Sequence, residues 1–172
     1  MNIKILATAD LHLGKQSSDV AEDYASTKHT LRRIVNYCID KSVDVLSLCG
    51  DIVDWDNRFF EAYGPLQSAF DSLGKHGIEV YLVAGNHDFD VLPHIIKTGN
   101  NKHVHLLGRN EQWEVQEFTK NGQTIQFVGW SFAQRYVKES AMNTWNPSLL
   151  NPNYQTIGLL HGDTDAANSI YG

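Results

Sequence analysis

A chain of 172 residues, 42% hydrophobic and 20% charged, is long enough to bury the core of one domain and has none of the bias of a disordered or fibrous protein. Its formal charge of −6 works against non-specific attraction of a polyanion over the whole surface. No apolar stretch approaches the length of a membrane span, and the apolar N-terminal run meets Asp10 too soon for a signal-peptide core, so a soluble, cytoplasmic protein without membrane contact is expected.

Ile3 to Thr8 is an apolar run with no polar face, which predicts a strand covered on both sides. A helical pattern opens at Asp19, with Tyr24, Leu31, Ile34, Val35 and Ile39 recurring near the helical period. Val43 to Leu48 predicts a second strand. Phe59, Phe60, Tyr63, Leu66, Ala69, Phe70 and Leu73 mark a second amphipathic helix closed by Gly74 and Gly77, and Ile78 to Val83 predicts a third strand. This alternation implies a parallel sheet with right-handed crossovers. Further along, Val104 to Leu107 reads as a short strand. Trp113 to Phe118 and Thr124 to Trp130 alternate apolar and polar residues around an Asn121-Gly122 hairpin turn. Ala133 to Met142 reads as a short helix, Asn146 to Asn153 as a loop, and Ile157 to Leu160 as a last buried strand running into His161. No linker or repeat divides residues 1–172, which read as one domain.

Four signatures each follow a predicted strand: Asp10-Leu11-His12, Gly50-Asp51, Gly85-Asn86-His87-Asp88, and His161-Gly162. Side chains at the carboxyl ends of parallel strands converge on one edge of the sheet. The set supplies carboxylates, an amide oxygen and imidazoles, the mixed donors that hold divalent metals against a phosphate ester. Asp10 and His12, two apart in an extended segment, would point the same way and grip one ion. Gly50 and Gly85 read as tight strand exits that let backbone approach a metal or phosphate. Asp-x-His alone is a weak signal, whereas Gly-Asn-His-Asp after a strand is fairly specific.

These residues resemble the signatures of the calcineurin-like metallophosphoesterases. Within that superfamily, Leu6-Ala7-Thr8-Ala9-Asp10-Leu11-His12-Leu13-Gly14-Lys15 and Gly158-Leu159-Leu160-His161-Gly162-Asp163 are similar to the bacterial DNA-repair exonucleases, the SbcD group of nuclease subunits that work with an SMC-like ATPase. The resemblance implies an α/β fold: a metallophosphoesterase-type α/β/β/α sandwich with a mixed, partly parallel sheet. It also implies two divalent metal ions, manganese first, with iron and zinc as alternatives. Asp10, His12 and Asp51 would hold one ion, and Asp51, Asn86 and His161 the other, with Asp51 bridging. His87 is implied as the imidazole that contacts the phosphate and protonates the leaving alkoxide. Asp54 stands where related enzymes place a group that orients this histidine; a helix N-cap before Trp55 is the alternative. Lys15 reads either as a contact to a phosphate backbone or as a solvated loop lysine.

The implied function is a manganese-dependent DNA exonuclease in DNA repair. DNA is the implied substrate, with an SMC-like ATPase subunit and a second copy of the chain as partners. A phosphoesterase for nucleotides or other small phosphoesters is the first alternative. Its phosphoprotein branch is weakened because Trp55-Asp56, rather than Arg-Gly, follows Asp54. A non-catalytic binding partner is the second. The family pattern closes with Gly-x-His-x-His, one histidine for each ion, and no histidine follows His161. The sequence is therefore expected to lack two ligands, the later strands of the second sheet and any capping domain, as a fragment or a natural stub. Weak manganese binding and little hydrolysis are expected of these residues alone, and an uncovered sheet edge would favour association.

The remaining chemistry-bearing residues have plainer readings. His103 and His105 are two apart on a strand without a neighbouring carboxylate in the pattern, and read as an exposed strand face. His29, His76 and His94 read as surface residues. Lys28 with Arg32 and Arg33, and the set Lys97, Lys102 and Arg109, read as solvated faces. Cys38 and Cys49 fit no metal or redox spacing and read as buried, reduced thiols.

Overall fold

The computed structural model describes residues 2–15, 26–55, 58–99 and 101–162, with backbone alone at 58–60. Four parallel strands, β1 (Ile5–Thr8), β2 (Val45–Cys49), β3 (Glu79–Val83) and β4 (Val104–Leu106), pair in chain order to form the first sheet. Helices α1 (Thr27–Asp40), α2 (Arg58–Lys75) and α3 (Leu92–Thr98) make the connections. The second sheet is mixed. Strands β5 (Glu114–Lys120) and β6 (Gln123–Trp130) form an antiparallel hairpin, and β7 (Gln155–Leu160) joins β6 in parallel. The hairpin turns at Asn121-Gly122, both with positive φ, as a two-residue turn between right-twisted strands requires.

Strand alternation distributes the core into two layers. Leu46 and Leu48 of β2 and Val80 and Leu82 of β3 pack with Leu31, Val35, Leu66, Phe70, Leu92 and Ile95 of the helices. Their neighbours Val45, Tyr81 and Val83 face the other way and meet Ile125, Phe127 and Leu159 of the second sheet. Two facing sheets with helices over the first therefore make up the described part of the α/β/β/α sandwich. Because β2 and β3 are covered on both faces, they read as largely apolar runs, interrupted by Ser47 in β2 and opened by Glu79 in β3.

Several expectations are corrected. Strand β1 is an edge strand, only half-buried and with Ala7 exposed, rather than covered on both sides. Helix α1 is described from Thr27, where the Ser26 side chain accepts the His29 N–H; Asp19 and Tyr24 lie outside the described residues, as do the side chains of Phe59 and Phe60. No helix forms across Ala133 to Met142. Phe132 and Val137 are both buried while Ala133, Gln134, Lys138 and Glu139 are exposed, a spacing no helix face can serve. A 3-10 turn at Ala141–Thr144 is the helical remnant, and a second, Pro147–Leu149, lies in the expected loop. Helix α3, with Pro93 in its first turn, is too short to stand out as a periodic pattern.

His103 and His105 are partly buried rather than an exposed strand face. His103 Nε2 lies 2.8 Å from the Phe70 carbonyl, in a notch where a Cβ on Gly74 would overlap its ring. His105 pairs with Glu79 at 2.7 Å and stacks on Tyr81. His76 and His94 are exposed, whereas His29 is half-buried. Both cysteines are free thiols; burial pushes Cys38 up to about 11, while Cys49 is only half-buried.

Candidate metal centre

The site stands at the carboxyl ends of β1, β2, β3 and β7. Beyond β1 the chain stays laced to the segment after β2. The N–H groups of Asp10, His12 and Leu13 donate to the carbonyls of Gly50, Asp51 and Ile52 at 3.1, 3.0 and 2.9 Å, and Asp54 N–H returns to Leu13 O at 2.9 Å. The segment is not extended as expected. Asp10, His12 and Asp51 have φ of 55°, 46° and 50°, the left-handed region, and this sharp path turns their side chains toward one another.

Asp51 is the hub. Its Oδ2 lies 3.8 Å from His12 Nε2, 3.9 Å from His87 Nε2 and 3.5 Å from His161 Nε2. Asp10 approaches His12 Nε2 at 3.8 Å. Asp51 Oδ1 accepts the His87 N–H at 3.1 Å, which ties the loop after β3 to the hub. Burial works to raise the Asp51 pKa, but the hydrogen bond and positive field of His161, with help from His87, hold it below the ordinary value. Burial likewise works against the His161 cation, and Asp51 overrides it, so His161 is raised.

The outer nitrogens reveal how the imidazoles are oriented. His161 Nδ1 lies 3.2 Å from the Cys49 carbonyl, which can only accept a hydrogen bond, so this nitrogen carries a proton and Nε2 is the one turned to Asp51. His12 Nδ1 is 3.0 Å from Asp54 Oδ1, and its Nε2 is likewise left to face Asp10 and Asp51. This carboxylate–imidazole pairing is the arrangement that orients metal-ligating histidines. Asp54 lies 3.4 Å from His87 Nδ1 as well, but that nitrogen has no hydrogen-bond partner. Its reach to both rings, which meet edge to face at 5.0 Å, sets it between the two histidines. Helix α2 starts at Arg58, so Asp54 is not its N-cap.

The donor set fits a divalent ion. Asp10, His12 and Asp51 bring one ligand atom each within 4.8 Å of one another, two of them carboxylates and the third an imidazole nitrogen with its lone pair directed inward. A second grouping, His12, Asp54 and His87, overlaps it, but its His12 nitrogen is already bonded to Asp54. Asn86 is buried beside Asp51 and His161 on the wall of a cleft of about 480 Å³, which Asp10, His12, His87 and the exposed Lys15 also line.

Gly50 leaves β2 by the tight exit expected, and both glycines make room for the site's own side chains. Gly50, at φ +81°, leaves room for the His161 ring, and a Cβ on Gly85 would strike the Asp51 carboxylate. The close approach they permit is between protein groups.

Asp88 is the residue whose role the sequence reading missed. It is fully buried, and its Oδ2 accepts the N–H groups of Ile52 and Val53 at 2.6 and 3.2 Å while Oδ1 accepts that of Gly85 at 2.8 Å. Desolvation pushes it up to about 7 against those three donors. It locks the loop after β2 to the loop after β3, holding Asp51 and Asn86 in register. The signal was its place as the fourth letter of Gly-Asn-His-Asp.

Fold and donor set are those expected of a metallophosphoesterase. The chain belongs to the calcineurin-like phosphoesterases, whose family model matches residues 3–168. It is 28% identical over 173 residues to the uncharacterized metallophosphoesterase YhaO of Bacillus subtilis (strain 168), covering 94% of this chain and 41% of that protein. The chain therefore spans less than half the length of this curated relative. Among solved structures it is similar to a dimetal phosphatase from Danio rerio, at 20% identity and a TM-score of 0.45 over 74% of this chain and 43% of that one. It is also similar to the Pseudomonas putida nuclease MPE, at 18% identity and a TM-score of 0.42 over 90% of this chain and 59% of that one. No helix among the described residues is long and apolar enough to cross a membrane.

Proposed function

We propose that the protein carrying this chain is a manganese-dependent DNA exonuclease that hydrolyses phosphodiester bonds. The observation that carries the reading is the convergence of His12, His87 and His161 on one buried carboxylate oxygen of Asp51, at 3.8, 3.9 and 3.5 Å. Asp10, His12 and Asp51 would hold one ion, and Asp51, Asn86 and His161 the other. When bound, such a pair supplies a hydroxide nucleophile at neutral pH and neutralises charge on the phosphoryl oxygens. His87, on the cleft wall beside Asp51, would contact the phosphate and protonate the departing alkoxide. Asp54 and the Cys49 carbonyl hold the ligating rings in the correct tautomer.

Preference for a diester rests on Trp55-Asp56 standing where a phosphoprotein phosphatase carries Arg-Gly. Work in DNA repair beside an SMC-like ATPase, in the cytoplasm and as a homodimer, extends the same reading, and co-purification and light scattering test it. The full-length protein, assayed with manganese, should hydrolyse bis(p-nitrophenyl) phosphate faster than the monoester and release nucleotides from DNA ends. His87→Gln should lower kcat on the diester about 10²- to 10⁴-fold with metal content unchanged. Preference for the monoester would make it a small-phosphoester phosphatase instead, and DNA binding without hydrolysis would make it a non-catalytic partner.

A further inference from the structure

Arg135 is the described cation whose surroundings the metal centre does not account for. Its Nε is buried without a hydrogen-bond partner. The guanidinium lies over the Trp55 ring, 4.1 Å from its centroid, with the Tyr136 ring at 5.4 Å. Aromatic faces hold a guanidinium plane in place without using its N–H donors. Burying a cationic donor without an acceptor is unfavourable, and such a group calls for an explanation.

Its position supplies one. Trp55 directly follows Asp54, which touches His12 and His87. Three residues before Arg135, Phe132 donates its N–H to Ala84 O at 3.2 Å and sets its ring edge against His161 at 6.1 Å. The segment from Ser131 to Arg135 thus runs from the loop after β3 toward the loop after β2, along the same rim as the ligands. Arg135 is not on the wall of the metal cleft. A cation beyond that wall serves a neighbouring phosphate better than the scissile one, and a planar guanidinium matches two phosphate oxygens.

We propose that Arg135 binds the phosphate adjacent to the scissile one on a polynucleotide strand, so that the site favours chains of phosphodiesters over small single-phosphate esters. The proposal rests on the phosphodiesterase reading. With a formal charge of −6, the molecule offers a polyanion no favourable overall field, so local cations matter.

The test uses the full-length protein and a labelled single-stranded phosphorothioate oligonucleotide, followed by fluorescence anisotropy across a range of salt. Arg135→Gln should weaken binding about 10- to 100-fold and flatten the slope of log affinity against log salt by about 0.7, the loss of one phosphate contact. Arg135→Lys should keep the slope and recover part of the affinity, because charge is retained while the stacked fork is lost. In kinetics, R135Q should raise KM for DNA with kcat unchanged and leave bis(p-nitrophenyl) phosphate hydrolysis intact. An unchanged salt slope in R135Q overturns the proposal, as does an equal loss on both substrates. Failure of the wild type to hydrolyse either diester would sink the phosphodiesterase reading instead, while the binding arm still decides what Arg135 contacts.

Discussion

At His12, the choice of which nitrogen faces the cleft is made by Asp54, at 3.0 Å, rather than by the ion. Asp54 was legible as a residue near the candidate site, but its stronger partner is His12 and not His87, where its approach is 3.4 Å. The difference is one of side-chain geometry, which a spacing of three residues from Asp51 does not encode. Asp54→Ala should lower divalent-metal affinity about 10- to 100-fold in calorimetric titration, with Asp54→Asn falling less because its amide oxygen still accepts from Nδ1. If affinity holds and only the pH–rate profile moves, Asp54 acts through His87.

Between elements, the connection that matters most is Asp88, which joins loops from two strands through three backbone N–H groups. In Asp88→Asn, one of its two oxygens becomes an NH₂ facing an N–H donor in a fully buried site. The variant should lose about 1–3 kcal/mol in urea denaturation with its secondary-structure signal retained. An unchanged midpoint would remove Asp88 from the scaffold of the site. Strands and the two long helices were legible because their apolar periods are local. The supposed helix over Ala133 to Met142 was not, because Phe132, Val137 and Ala141 are claimed by Trp130, Phe89 and Trp113 from elsewhere in the fold.

Across the whole molecule, Asp44 fastens the second sheet to the first. It accepts the Lys4 N–H at 2.7 Å beside β1 and pairs with Lys120 at the end of β5. Burial pushes its pKa up, but Lys120 and the Lys4 amide outweigh it and hold the carboxyl below its ordinary value. A carboxyl lowered on folding stabilises the folded state above the unfolded pKa, about 3.9, and loses that contribution as pH falls through the folded value. Asp44→Asn should therefore be less stable by about 1 kcal/mol near neutrality, a figure kept small because Lys120 is half-exposed. Urea midpoints of the two proteins should converge as pH drops below about 3.9. A gap that persists in acid would mean that the amide alters packing rather than charge.

By itself, the sequence determined the succession of strands along the chain, the apolar runs of β2 and β3, and the four strand-end signatures that carry every expected metal ligand. All of these are written in local spacing, where strand period and turn chemistry leave little freedom. Only the tertiary structure decided that Asp10, His12 and Asp51 converge through left-handed backbone, and that Asp54 turns His12. It also decided that Asp88 clamps two loops and that Arg135 lies on Trp55. Those pairings join residues far apart in the chain, and the geometry that brings them together exists only once the strands have paired and the sheets have packed.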